Sequence, residues 1–153
     1  MVKLDEKAVV PKVDAAARAR LAEAFDRDAV VAAMLIGSQA RGNPGPLSDI
    51  DIAYWHDPGL DRGARWQLRL DLIAAAERAL RTPEVDLVPL NEAPPLMQQR
   101  AIRDAVRLVE RDRDERVRLE TRALLEYFDT QPLRDALNQG VRRRIKEDRF
   151  GRR

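Results

Sequence analysis

Gly37 and Ser38 close an apolar run, ten residues intervene, and Asp49 and Asp51 then stand one residue apart inside a second apolar run. The whole stretch, GSQARGNPGPLSDIDIAY, spans residues 37–54. With no Cβ, Gly37 lets a phosphate approach the backbone closely. Ser38 offers a hydroxyl and an amide at what should be a helix N-terminus, where free N–H groups and the helix dipole favour anions. Arg41, one turn on, can reach the same phosphates. In a strand, residues two apart project to the same side, so Asp49 and Asp51 are close enough to share one or two divalent cations.

A third acid, Asp86, lies in a later apolar run, with Val85 and Leu87 facing away from it. Placed on a neighbouring strand it completes a cluster. Three carboxylates on one patch repel one another unless cations neutralise them, so the cluster predicts bound metal. Two ions roughly 3.5–4 Å apart clamp a phosphoryl group, one activating the attacking oxygen and the other stabilising the leaving oxygen. That arrangement serves nucleotidyl transfer. Taken singly, a Gly-Ser after a strand is an ordinary turn, an Asp-x-Asp on an edge strand is usually solvated, and Arg41 or Asp86 alone reads as a surface residue. Their joint occurrence in this order is what carries the reading.

Composition narrows the metal. The chain of 153 residues has no Cys and a single His, His56, which excludes disulfides, thiolate sites and a His-rich zinc centre. A hard cation held by oxygen remains, Mg²⁺ or Mn²⁺. His56, just past the metal strand, reads as a loop or surface residue. Residues 141–153 hold seven Arg or Lys against two Asp or Glu, so the remainder of the chain is net acidic although the total is +2. The basic character therefore belongs to the tail, and a nucleic-acid-binding face on the domain is not expected. No stretch approaches the roughly 20 apolar residues of a membrane span, and the N-terminal residues lack a signal peptide's apolar region, so a soluble cytoplasmic protein is expected.

The elements that must position these residues follow from patterning. Asp14 caps a helix to about Phe25, with Ala17, Leu21 and Ala24/Phe25 at helical spacing. Residues 29–37 read as a strand covered on both faces. Ser38 to Gly42 start a short helix, and NPGP at 43–46 is a turn cluster. In the strand from Ser48 to Tyr54, Ile50 and Ile52 point one way, Asp49 and Asp51 the other. Residues 61–80 form the longest helix, with Trp66, Leu70, Ile73 and Leu80 as its apolar stripe. Glu84 to Leu90 is a strand, Pro94 and Pro95 open a helix to about Asp104, and Val106 and Leu108 allow a short strand. Val117, Thr121, Leu124/Leu125 and Phe128 make another helix. Leu133, Leu137, Val141 and Ile145 make the last, weakened by Gly140. The expected fold is α/β or α+β, a small mixed sheet flanked by helices. It forms a single domain over 1–153, with C-terminal helices and the basic tail from about 115.

These residues resemble a known superfamily, the nucleotidyltransferases of polymerase β palm type: Gly37-Ser38, ten residues, Asp49-x-Asp51, then a later strand aspartate, Asp86. The ARG at 40–42, SDIDIAY and VDLVPLNEAPP at 85–95 look like the minimal nucleotidyltransferases, the MNT antitoxins that pair with HEPN-domain ribonuclease toxins. The resemblance covers about residues 29–129, including ETRALLEYFD, and departs at Ala105, where a Gly is expected before the short strand. It implies ATP bound with its phosphates on Gly37, Ser38 and Arg41. Asp49 and Asp51 would hold two Mg²⁺, with Asp86 ligating one of them and helping to deprotonate an acceptor hydroxyl. In the family AMP goes to a tyrosine of the partner toxin and silences it. Two other functions fit the same chain: an antitoxin that blocks its toxin by steric cover alone, and an enzyme that nucleotidylates a small hydroxylated molecule such as an aminoglycoside. The latter usually carries an added substrate-binding domain, for which residues 91–153 offer only a few helices.

Overall fold

A computed structural model describes residues 9–46 and 48–146; the last part of the basic tail, after Lys146, lies outside them. Helix α1 (Ala15–Phe25) starts where the Asp14 carboxylate accepts the Ala17 amide at 2.8 Å, an N-cap that satisfies a donor no helical carbonyl can reach. Strand β1 (Val30–Ile36) is buried along its whole length, as its unbroken apolar run requires. The single turn α2 (Gly37–Arg41) follows, ended by Gly42 in the left-handed region at φ +76°. Then come β2 (Ile50–His56), α3 (Arg62–Leu80) and β3 (Val85–Pro89). A 3₁₀ turn at Leu90–Glu92 leads into α4 (Pro95–Asp104), β4 (Val106–Glu110), α5 (Arg113–Asp129) and α6 (Gln131–Lys146).

The strands lie in the order β3-β2-β1-β4. β1 is antiparallel to both β2 and β4, whereas β2 and β3 are parallel. The sheet is therefore mixed, and α3 is the crossover that a parallel pair needs. Because side chains alternate along a strand, β2 feeds two separate cores. Ile50, Ile52 and Tyr54 pack with Leu21, Phe25 and Leu72 from α1 and α3. Ala53 and Trp55 pack with Ala101 of α4 and with Leu119 and Ala123 of α5. Leu21 and Phe25 have no exposed surface, and each such side chain contributes about 1.5–3 kcal/mol by leaving water.

Four expectations change. α3 buries only part of its expected stripe: Leu80 faces the core, with Leu68, Leu72, Ala75 and Ala76, and Ile73 packs against it, but Trp66 and Leu70 are exposed. α3 packs against α1, and its buried face holds leucines and small alanines in place of the aromatic. α5 buries Leu119 and Ala123, while Val117, Leu125 and Phe128 are exposed. None of Leu133, Leu137, Val141 and Ile145 is buried, and α6 has no buried residue at all. Its stripe is real but faces outward. Finally, His56 is not a loop residue: it ends β2 and is only 3% exposed. At Ala105 the backbone is extended (φ −70°, ψ 143°), a conformation that needs no glycine.

Candidate functional site

The antiparallel register sets Ile36 opposite Asp51, and the parallel register sets Asp51 beside Asp86. Gly37, the residue after Ile36, thus arrives next to Asp51, and three separate segments of chain meet in one row across the sheet. Asp49 lies just before β2, two residues from Asp51, so all three carboxylates belong to the same face. Asp49 and Asp86 are exposed and Asp51 is half-buried.

Gly37 adopts φ +69°, which costs an L-residue roughly 1–2 kcal/mol. It is also a space requirement. A Cβ built there collides with Oδ2 of Asp51 and lies 3.3 Å from its Cγ. The room opened by the absent side chain is taken up by the aspartate itself, so the turn and the acid are fitted to one another. Ser38, half-buried in the same turn, accepts the Asn43 amide on its carbonyl at 3.1 Å.

Charge crowding is felt at Asp51. Burial first, then the Asp86 and Asp49 carboxylates, push its pKa above the ordinary value of 3.8, while the Arg41 guanidinium works against the rise. Arg41 acts in the same downward direction on Asp104 at the end of α4, behind the stronger effect of the Arg103 hydrogen bond. One exposed arginine therefore influences acids on two elements. Among the described residues no group of three or more His, Asp or Glu side chains is already placed to hold a metal ion. The donors are all hard oxygens and the mutual repulsion is present, so the set fits a divalent cation such as Mg²⁺.

Sequence reading missed two residues that hold the backbone, one at the glycine turn and one at the far end of β2. Gln39 is buried; its Oε1 accepts the Val13 amide at 3.0 Å and its Nε2 donates to the Pro11 carbonyl at 3.1 Å. With the Val10 amide donating to Pro46 at 3.1 Å, the segment before α1 is tied to both ends of the loop that carries the glycine turn. Asn91 pairs with the main chain of His56, accepting its amide at 2.9 Å and donating to its carbonyl at 3.0 Å. A polar side chain in a short turn gives no periodic signal, so neither role was visible without the fold.

A four-stranded mixed sheet with helices on both faces, carrying a glycine turn beside strand aspartates, is a nucleotidyltransferase architecture. Residues 20–114 match the family model described as "Polymerase beta, Nucleotidyltransferase", and the chain belongs to that family. Among solved structures, one from a toxin–antitoxin complex with AMP-PNP is similar at 27% identity and TM-score 0.61, covering 79% of this chain and 92% of that one. Another contains a tri-AMPylated HEPN toxin of Shewanella oneidensis in complex with an MNT antitoxin. It is 26% identical with TM-score 0.54, covering 75% of this chain and 85% of that one. A third, of an MntA–HepT complex, has TM-score 0.59 at 24% identity over 82% of this chain and 96% of that one, a likeness of fold alone. No protein of curated function matches the chain in sequence. No helix among the described residues is long and apolar enough to cross a membrane.

Proposed function

We propose that the chain is an antitoxin that transfers AMP from ATP to a tyrosine of a HEPN-domain ribonuclease toxin. The observation that carries this is the row of Gly37, Asp51 and Asp86, built by two strand registers and adjoined by Asp49. The toxin–antitoxin neighbours, one with AMP-PNP and one with an AMPylated HEPN toxin, support the choice of donor and acceptor.

In this reading the Gly37–Ser38 turn and Arg41 bind and orient the phosphates. Asp49, Asp51 and Asp86 would hold Mg²⁺, which when bound offsets phosphate charge and eases ionisation of the acceptor hydroxyl. Asp86, exposed and on the outer strand of the row, takes the proton from the tyrosine oxygen as that oxygen bonds to the α-phosphorus and pyrophosphate leaves. Most of the rate enhancement would come from positioning and charge complementarity. The pairing with a separate protein also gives a use to the apolar residues that α5 and α6 leave exposed. Radiolabelled ATP, Mg²⁺ and a HEPN ribonuclease that binds the chain should give label on the ribonuclease. Binding without label would overturn the reading.

The same exposed stripe supports a second reading, an antitoxin acting by steric cover. It predicts full protection in cells by an Asp49→Ala/Asp51→Ala chain, whereas the transfer reading predicts loss of protection.

A further inference from the structure

A cleft of about 810 Å³ opens at the other end of β2 and on the other face of the sheet from Asp51. Its position follows from alternation: Tyr54 and His56 project to the α3 side, opposite to Asp49 and Asp51. The first turns of α3 form one wall. There Arg62, Arg65 and Arg69 recur at spacings of three and four residues, bringing three guanidinium groups to one helix face. Trp66 stands among them, 61% exposed, although α3 has a complete packed face without it. The one acid in the lining, Glu92, accepts from Arg65 at 3.2 Å, so cations outnumber anions.

The floor is polar and incompletely paired. His56 Nδ1 lies 2.8 Å from the Asp57 carbonyl, which makes it the donor and leaves Nε2 with a lone pair in the neutral ring. That Nε2 has no hydrogen-bond partner, and neither has the buried Nε of Arg65; Glu92 is 3.9 Å from Nε2, beyond hydrogen-bond reach. Both His56 and Arg65 line the cleft. Tyr54, its pKa pushed up to about 12 chiefly by burial, keeps its proton.

We propose that this cleft is a second binding site, distinct from the transfer site, for a small aromatic phosphate of mononucleotide size. The phosphate pairs with Arg62, Arg65 and Arg69, and the ring lies against Trp66. The volume falls within the range of roughly 300–1,000 Å³ typical of small-ligand sites. A concavity of that size, with one aromatic ring beside three guanidinium groups, favours a small ligand over RNA or protein. The proposal does not depend on AMP transfer.

Calorimetric titration of the full chain with AMP in EDTA tests it. Saturable binding is expected, with competition by inorganic phosphate. It should weaken about tenfold or more in Arg62→Ala and in Arg65→Ala, whose hydrogen bonds to a phosphate are charge-assisted, and also in Trp66→Ala. Asp49→Ala/Asp51→Ala should bind AMP as the wild type does. Thermal unfolding of each variant confirms that it is folded. Absence of AMP binding by folded wild type would overturn the proposal. So would affinity unchanged in both arginine variants, binding lost in Asp49→Ala/Asp51→Ala, or capture of single-stranded RNA in place of AMP.

Discussion

The carboxylate of Asp51 fills the space that a side chain at Gly37 would need. The strand register that sets Ile36 opposite Asp51 makes this contact unavoidable. Gly37→Ala should therefore destabilise the fold by about 1–2 kcal/mol from its positive φ alone, with the collision added. That corresponds to roughly 2–4 °C of Tm per kcal/mol for a chain of this size. Adding Asp51→Ala to Gly37→Ala should recover the collision part and leave the backbone part. A double-mutant cycle by thermal unfolding reads this coupling directly; strict additivity would show that the two residues do not compete for space.

Asp51 also predicts a pH dependence. Its folded pKa is raised above 3.8 by burial and by Asp86 and Asp49, so from 3.8 up to the raised value the folded state binds the proton more tightly than the unfolded state. Stability contributed by this group therefore falls as pH rises through that window, and its ionised form is a net cost at neutral pH. Without divalent cation, Asp51→Asn should have the higher Tm at pH 7, and the advantage should shrink as pH is lowered toward 3.8. A variant less stable than wild type at pH 7 under these conditions would contradict the crowding of charge.

Gln39 joins the segment before α1 to the glycine turn. Gln39→Ala leaves the Val13 amide and the Pro11 carbonyl without their partner, at a cost of about 1–3 kcal/mol. Hydrogen exchange at Val13 should speed up well before global unfolding does. Equal protection of Val13 in both proteins would show that the segment is held by other contacts.

Val117, Leu125 and Phe128 on α5, with Leu133, Leu137, Val141 and Ile145 on α6, are exposed apolar residues at helical spacing. Leu125→Asp with Phe128→Asp should change stability by no more than about 0.5 kcal/mol per site but abolish co-purification with a HEPN-domain partner. A large fall in Tm, with partner binding kept, would show that these residues stabilise the domain itself.

What the sequence disclosed depended on how local each signal was. Strand β1, the Asp14 cap and the alternation through Ile50–Tyr54 are local patterns that the structure has, although β2 begins at Ile50 and leaves Asp49 just before it. The packed faces of α3 and α5 are not local. Trp66, Val117 and Phe128 sit at good helical spacing, yet which face is covered depends on neighbours, and alanines at 75, 76 and 123 take the inner positions because close approach favours them. His56 looked like a loop residue because β2 runs two residues beyond Tyr54. The meeting of Gly37, Asp51 and Asp86 was expected from motif order and the family resemblance, but not the registers that produce it. Their adjacency depends on strand order, which spacing along the chain does not encode.

The most direct test of AMP transfer is the intact mass of a HEPN-domain ribonuclease after incubation with the chain, ATP and Mg²⁺. The expected result is a gain equal to one or more AMP units with the wild type, none with Asp49→Ala/Asp51→Ala, and loss of ribonuclease activity in step with the gain. A partner that binds the wild-type chain, is inhibited by it and keeps its unmodified mass would contradict it.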